Sequence, residues 1–109
     1  MLVTDVEGLV ANAIQDRIRV RLSYRRKSDG AVSVHEVAPI DIQPGDTSRT
    51  ADTEYLWAWC FAEAKLERHL LDRIVWIEPL ETHFDAAWIL SQWPVGWPRP
   101  AKWRLPRDW

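Results

Sequence analysis

The 109-residue sequence has one cysteine, Cys60, four glycines and no surplus of positive charge. A single thiol cannot close an intrachain disulfide, which excludes a disulfide scaffold and points to a reducing compartment, here expected to be the cytoplasm. Four glycines exclude collagen-like and flexible low-complexity chains. Fourteen Lys and Arg against sixteen Asp and Glu give a formal charge of −2, so there is no global electrostatic case for nucleic acid. No apolar run approaches the ~20 residues of a membrane-crossing helix, and no membrane partner is expected. Asp5 and Glu7 with no basic residue among the first eight positions are unlike a signal or transit peptide. What is present is ordinary globular material, 47% hydrophobic and 28% charged, with one anomaly: eight tryptophans. A chain this long is expected to form one domain and to bury roughly two-thirds of its unfolded surface without staples.

The tryptophans and the charge are unevenly placed. Residues 84–109 hold five of the eight Trp and four of the seven Pro, with Arg99, Lys102, Arg104 and Arg107 against Asp85 and Asp108. That is a net +2, leaving −4 on the first 83 residues. The shift divides the chain into a body, residues 1–83, and a Trp/Pro-rich basic extension, residues 84–109.

The body begins with Thr4 and Glu7 in capping-box spacing. Val6, Leu9, Val10, Ala13 and Ile14 then recur at helical intervals, predicting a helix over residues 5–16. Period 2 follows: Ile18, Val20, Leu22 and Tyr24 alternate with Arg17, Arg19, Arg21 and Ser23, the pattern of a half-buried strand. Asp29-Gly30 signals a hairpin, with the return strand over residues 31–37. Pro39 removes a donor, so residues 39–42 are an edge, a bend or a bulged continuation. Residues 44–53 are a polar loop. The run YLWAWCF, residues 55–61, reads as a central strand with Tyr55, Trp57, Trp59 and Phe61 on one face and Leu56, Ala58 and Cys60 on the other. Strands are predicted over 66–71 and 74–80, the second ended by Pro79, and a short helix over 85–92. One helix followed by five short strands is mainly β, a small barrel or sandwich capped by a helix.

The segments AIQDRIRVRLSYR, HEVAPIDI, YLWAWC and RHLLDRI, in this order over about 65 residues, resemble the WYL domain of bacterial regulators. The Leu71-Asp72-Arg73-Ile74 stretch is the most specific piece. The resemblance implies a five-stranded SH3/Sm-like barrel, here with an N-terminal α-helix and a C-terminal Trp/Pro-rich strap. It also implies a non-catalytic sensing module that binds nucleic acid fragments or other anionic small ligands. The implied ligand residues are Ser23, Tyr24, His35, Tyr55, Arg68 and Arg73. The sequence departs from the family pattern at Glu54 (Trp), His35 (Arg), His69 (Phe) and Ala64 (Gly), and reads without the helix-turn-helix that most members carry ahead of the domain.

Each constellation has two readings. Arg17, Arg19 and Arg21 stand about 7 Å apart along one strand face, near the spacing of successive phosphates, and form either an anion-binding face or a solvated face paired with carboxylates. Arg73 either meets a ligand or fixes a bend with Asp72 or Glu78. His35, His69 and His83 lack metal-ligand spacing, so neither metal nor cofactor is expected. Cys60 lies in an apolar run where thiols are inert, and no nucleophile or phosphate-loop signature appears, so no enzyme is expected. Trp57, Trp59 and Tyr55 are core or base-stacking platforms. The tail tryptophans pack back on the barrel, mediate a homodimer, dock a partner regulatory protein or stack bases. Two functions follow: sensing of an anionic ligand, a nucleotide or short single-stranded nucleic acid, or protein interaction and oligomerisation through the Trp-rich tail.

Overall fold

The computed structural model describes residues 6–45, 47–49, 52–97, 99–100 and 102–109. The Thr4 cap expected for the first helix lies outside them. Helix α1 (Val6–Asp16) buries Val10, Ala13 and Ile14, the face its spacing predicts. It ends at Arg17, whose φ of 55° is the left-handed conformation that stops a helix, and whose N–H bonds Ile14 O at 3.2 Å. Strand β1 (Ile18–Arg25) starts on the next residue.

β1 turns into β2 (Val32–Pro44) through residues 26–31. Arg26 and Ala31 close the turn backbone to backbone, and Gly30 supplies the positive φ of 72° that it requires. β3 (Glu54–Cys60), β4 (Lys65–Leu70), a one-turn 3-10 helix (Leu71–Arg73), β5 (Ile74–His83) and α2 (Ala86–Ser91) follow. β5 does not stop at Pro79 as the sequence suggested. Proline lacks only the donor, and on an edge strand the ladder continues past it, to His83 opposite Ile18. The Asp85 carboxylate caps α2 by accepting from Trp88 N–H at 3.1 Å.

Among the described residues, five strands form one antiparallel sheet in the order β4-β3-β2-β1-β5. The run 55–61 is an interior strand, paired on both sides, while the middle of the sheet is β2. A flat sheet would hold its outermost strands about 19 Å apart. The link from Leu70 to Ile74 spans at most about 14 Å even fully extended. The sheet therefore curls into a barrel, as expected of the SH3/Sm-like form. Tyr24 on β1 closes the gap, its hydroxyl accepting from Leu70 N–H on β4 at 3.1 Å.

The curled sheet packs on both faces, the inner one throughout and the outer one over β2, β3 and β4. Inside, Val20, Leu22, Val37, Ile42, Leu56, Ala58 and Cys60 pack with Val10 and Ile14 of α1. Outside, Ala38, Ile40, Trp57, Trp59 and Leu66 are roofed by Phe84, Ala86 and Ile89, with Trp93, Trp97, Trp103 and Trp109 against them. The alternating faces read from residues 55–61 thus supply these two layers. Truncating a residue such as Leu22 or Trp57 to Ala is worth about 2–5 kcal/mol in such settings.

A bulge divides β2. Pro39 pairs with Ala58 and Asp41 with Trp57, leaving Ile40 as the extra residue. The slip puts Ile40 and Asp41 both on the outer side and returns Ile42 to the inner core. Asp41 thereby meets the tail: its carboxylate accepts from Arg104 N–H, Leu105 N–H and the Arg107 guanidinium, each at 3.0 Å.

Candidate functional site

Arg17, Arg19 and Arg21 each meet a carboxylate. Arg17 meets Asp108 at 3.1 Å, Arg19 meets Glu36 at 2.9 Å and Arg21 meets Glu78 at 3.3 Å. Arg19 also lies over the Phe61 ring at 3.8 Å. These three arginines pair with carboxylates from the tail, β2 and β5, and none of them lines a cavity with the other implied ligand residues.

The convergence of cations is elsewhere. A groove of about 600 Å³ opens along the free edge of β4, between that strand and the β1–β2 hairpin. Its walls carry Tyr24, His35 and Arg68, three of the six implied ligand residues, with Arg26, Ser33, Lys65, Glu67, His69 and Trp97. Strand pairing explains the gathering. His35 lies opposite Leu22, Glu67 opposite Ala58 and His69 opposite Leu56, so all three side chains share the inner face with core residues. The curl of the sheet brings them to Tyr24. Arg68 points to the outer face, opposite Trp57. Its guanidinium stacks 5.3 Å from the Trp57 ring and 4.5 Å from the Trp97 ring, which links the groove to the tail.

The other three implied residues are not in the groove. Ser23 is buried between its cross-strand neighbours Val34 and Trp76. Tyr55 is half-buried in the tryptophan layer. Arg73 is half-buried at the end of the 3-10 turn. Sequence reasoning missed Arg26, Lys65, Glu67 and Trp97. Arg26 reads as part of the basic run that ends at Lys27 and Lys65 as part of a short connection, and Trp97 reaches the groove only because the tail folds across the outer layer.

The groove floor is titratable. His69 is buried, edge-on to Tyr24 at 4.9 Å and 5.8 Å from the His35 ring. Burial, reinforced by His35, pulls its pKa down to about 4, so the ring is neutral near pH 7. Its Nε2 is 3.3 Å from Glu67 Oε1, yet without hydrogen-bond alignment, and it has no hydrogen-bond partner among the described residues. His35 Nε2 shares a 2.8 Å hydrogen bond with Ser33 Oγ. Behind them, burial pushes the Cys60 thiol up. His35, Cys60 and Glu67 present ligating atoms all within 4.8 Å of one another. Spacing along the chain gave no hint of this cluster, because its members come from three different strands.

Among the described residues no helix is long and apolar enough to cross a membrane. A family model described as WYL domain matches residues 5–79. Among solved structures, Proteasome accessory factor B/C (PafBC) of Arthrobacter aurescens is similar, with a TM-score of 0.63 and 22% identity over 80% of this chain. The chain spans 13% of that protein, and at this identity the likeness is one of fold. A comparison with curated proteins returned no match.

Proposed function

Because the chain belongs to the WYL domain family, we propose that it is a non-catalytic regulatory module that senses an anionic ligand, a nucleotide or a short single strand of nucleic acid, in the groove along β4. The observation that carries this reading is the composition of the groove. Arg26, Lys65 and Arg68 line it against one carboxylate, Glu67, beside the rings of Tyr24, His35 and Trp97. Cations supply attraction for phosphate and aromatic faces supply stacking for a base. The volume of about 600 Å³ suits a mononucleotide. Arg26 is held by Asp29 in a two-point pair at 3.0 and 2.9 Å, so Lys65 is assigned the main phosphate contact, with Arg68 on the same wall beside the Trp97 ring. Output passes to a partner regulatory protein or through self-association.

Interaction through the tail is the weaker reading. All five tail tryptophans pack against the protein's own outer layer, Trp88 edge-on to Trp59 at 5.3 Å. A homodimer is better served by the exposed Val32, Val34 and Trp76 on β2 and β5.

Fluorescence anisotropy with labelled short DNA and RNA strands, at low and physiological salt and with nucleotides as competitors, tests the proposal. Saturable, salt-sensitive binding that Lys65→Glu abolishes is expected. Absence of binding, or binding indifferent to Lys65→Glu in a folded protein, overturns it.

A further inference from the structure

Three adjacent strands bring one imidazole, one thiol and one carboxylate to the same patch of the inner face. His35 lies on β2 two residues before Val37, and Val37 pairs with Cys60 at the end of β3. Glu67 lies on β4 two residues after Lys65, the partner of Cys60. We propose that His35, Cys60 and Glu67 form a binding site for a divalent cation of the zinc type, with the fourth coordination position open to the groove.

The donor set fits that ion. One nitrogen, one sulfur and one carboxylate oxygen suit a borderline-soft cation such as Zn²⁺ and disfavour Mg²⁺ or Ca²⁺, which take oxygen. Three protein donors with an open fourth position is the pattern of a zinc site that exchanges a small ligand. Bond lengths of 2.0–2.3 Å make a tetrahedron with edges of about 3.3–3.8 Å. The present separations reach 4.8 Å, so the donors close by about 1 Å. His35 and Glu67 are half-buried side chains at the groove wall, free to make that adjustment.

Two observations around the donors point the same way. The first is orientation. Ser33 Oγ engages His35 Nε2, and in the tautomer where Nε2 donates, Nδ1 carries the lone pair for the cation. A hydrogen bond on the far nitrogen is the usual support of a ligating histidine. At Cys60, the backbone N–H groups of Glu63 and Ala62 are directed at the sulfur. Burial still holds the free thiol protonated, and these donors oppose it, favouring the thiolate that binds metal once a cation is present. The tight turn that places them depends on Ala64 at a φ of 54°.

The second is the orphan beside the cluster. His69 Nε2 is buried, with its side chain 6% exposed, and stands 3.3 Å from Glu67 without a bond to it. A buried unpaired polar atom costs about 1–3 kcal/mol. Rotation of Glu67 onto a cation lets its second oxygen take this ring N–H, completing both. Binding then replaces the Cys60 S–H bond by a sulfur–metal bond and releases one proton to solvent. The site stands or falls independently of nucleotide binding, because its test uses metal alone.

The experiment is titration of the chelator-treated 109-residue protein with Co²⁺, followed by displacement with Zn²⁺. One Co²⁺ per chain, with a thiolate-to-cobalt charge-transfer band and tetrahedral visible absorption, is the expected result. Cys60→Ser should remove the charge-transfer band, and His35→Ala and Glu67→Gln should each weaken binding at least tenfold. His83→Ala, on the exposed end of β5, should leave both unchanged. If Cys60→Ser does not fold, His35→Ala and Glu67→Gln carry the same reading. Absence of the charge-transfer band in the native protein, or affinity unchanged by His35→Ala and Glu67→Gln, overturns the site.

Discussion

Arg107 and Asp41 form an ion pair at 3.0 Å with their side chains 2% and 0% exposed, the point at which the C-terminal strap is fastened to the sheet. The guanidinium also donates to Ile40 O and lies between the rings of Trp103 and Trp109, at 4.4 and 4.7 Å. Burial pulls the arginine pKa down and Asp41 opposes this. A guanidinium starts so high that it stays protonated. The bulge at Ile40 is what turns the carboxylate outward. The slipped register beside Pro39 and the fastened tail are thus joined through one side chain, Asp41.

Removing one partner of such a pair leaves a buried charge alone, at a cost of about 3–5 kcal/mol. Asp41→Ala should therefore lower stability by that order in urea unfolding. It should also open residues 93–109 to proteolysis before the barrel unfolds. A loss below about 1 kcal/mol would show that the pair does not hold the strap.

Deleting residues 93–109 should not yield a neutral core. It strips cover from Ala38, Ile40, Trp57 and Trp59, which are buried in the whole chain. The expected outcome is strong binding of a hydrophobic dye and concentration-dependent association. A truncated protein that stays monomeric with unchanged melting would refute the double-layered sheet.

His69 makes stability depend on pH. Its folded pKa of about 4 lies below the unfolded value near 6.5. Between these values the unfolded chain binds one proton more than the native one. Stability is therefore full above about pH 6.5 and declines as pH falls towards 4, by on the order of 3 kcal/mol. The groups facing the ring are Tyr24 on β1, His35 on β2 and Glu67 on β4. In chelator-containing buffer, His69→Phe should flatten this part of the pH profile and be more stable than the native protein at pH 4.5. An unchanged slope in His69→Phe would assign the pH dependence to other groups.

Arg68 and Arg73 should separate in ligand binding. Arg68 lines the groove, whereas Arg73 sits outside its walls. Arg68→Ala should weaken oligonucleotide binding about tenfold and reduce the salt slope by about one, while Arg73→Ala leaves both intact. Equal losses in the two variants would move the site towards the 3-10 turn.

Arg21→Ala removes an exposed pair with Glu78. The expected change in stability is under about 1 kcal/mol, with ligand affinity unaltered. A clear fall in affinity would restore the basic strand as a binding face.

Local patterning made much of the fold legible. The helical spacing of Val6 to Ile14, the alternation of β1 and the two-faced run from Tyr55 to Phe61 each describe a segment whose environment follows from its own period. Pro39 was legible as an interruption and not as a choice among bend, edge and bulge, because a missing donor is compatible with all three. The candidate site was only half legible. Tyr24, His35 and Arg68 came through family resemblance, whereas Ser23, Tyr55 and Arg73 came the same way and lie outside the groove.

By itself the sequence determined the strand order along the chain, the two apolar faces of the central run and the charge division near residue 84, since each depends on neighbours in sequence. The tertiary structure alone decided which arginines are neutralised, where the tail lies, and that His35, Cys60 and Glu67 meet. Those outcomes depend on strand register and on the curl of the sheet. Both are set by the packing of residues far apart in the chain, which no local period encodes.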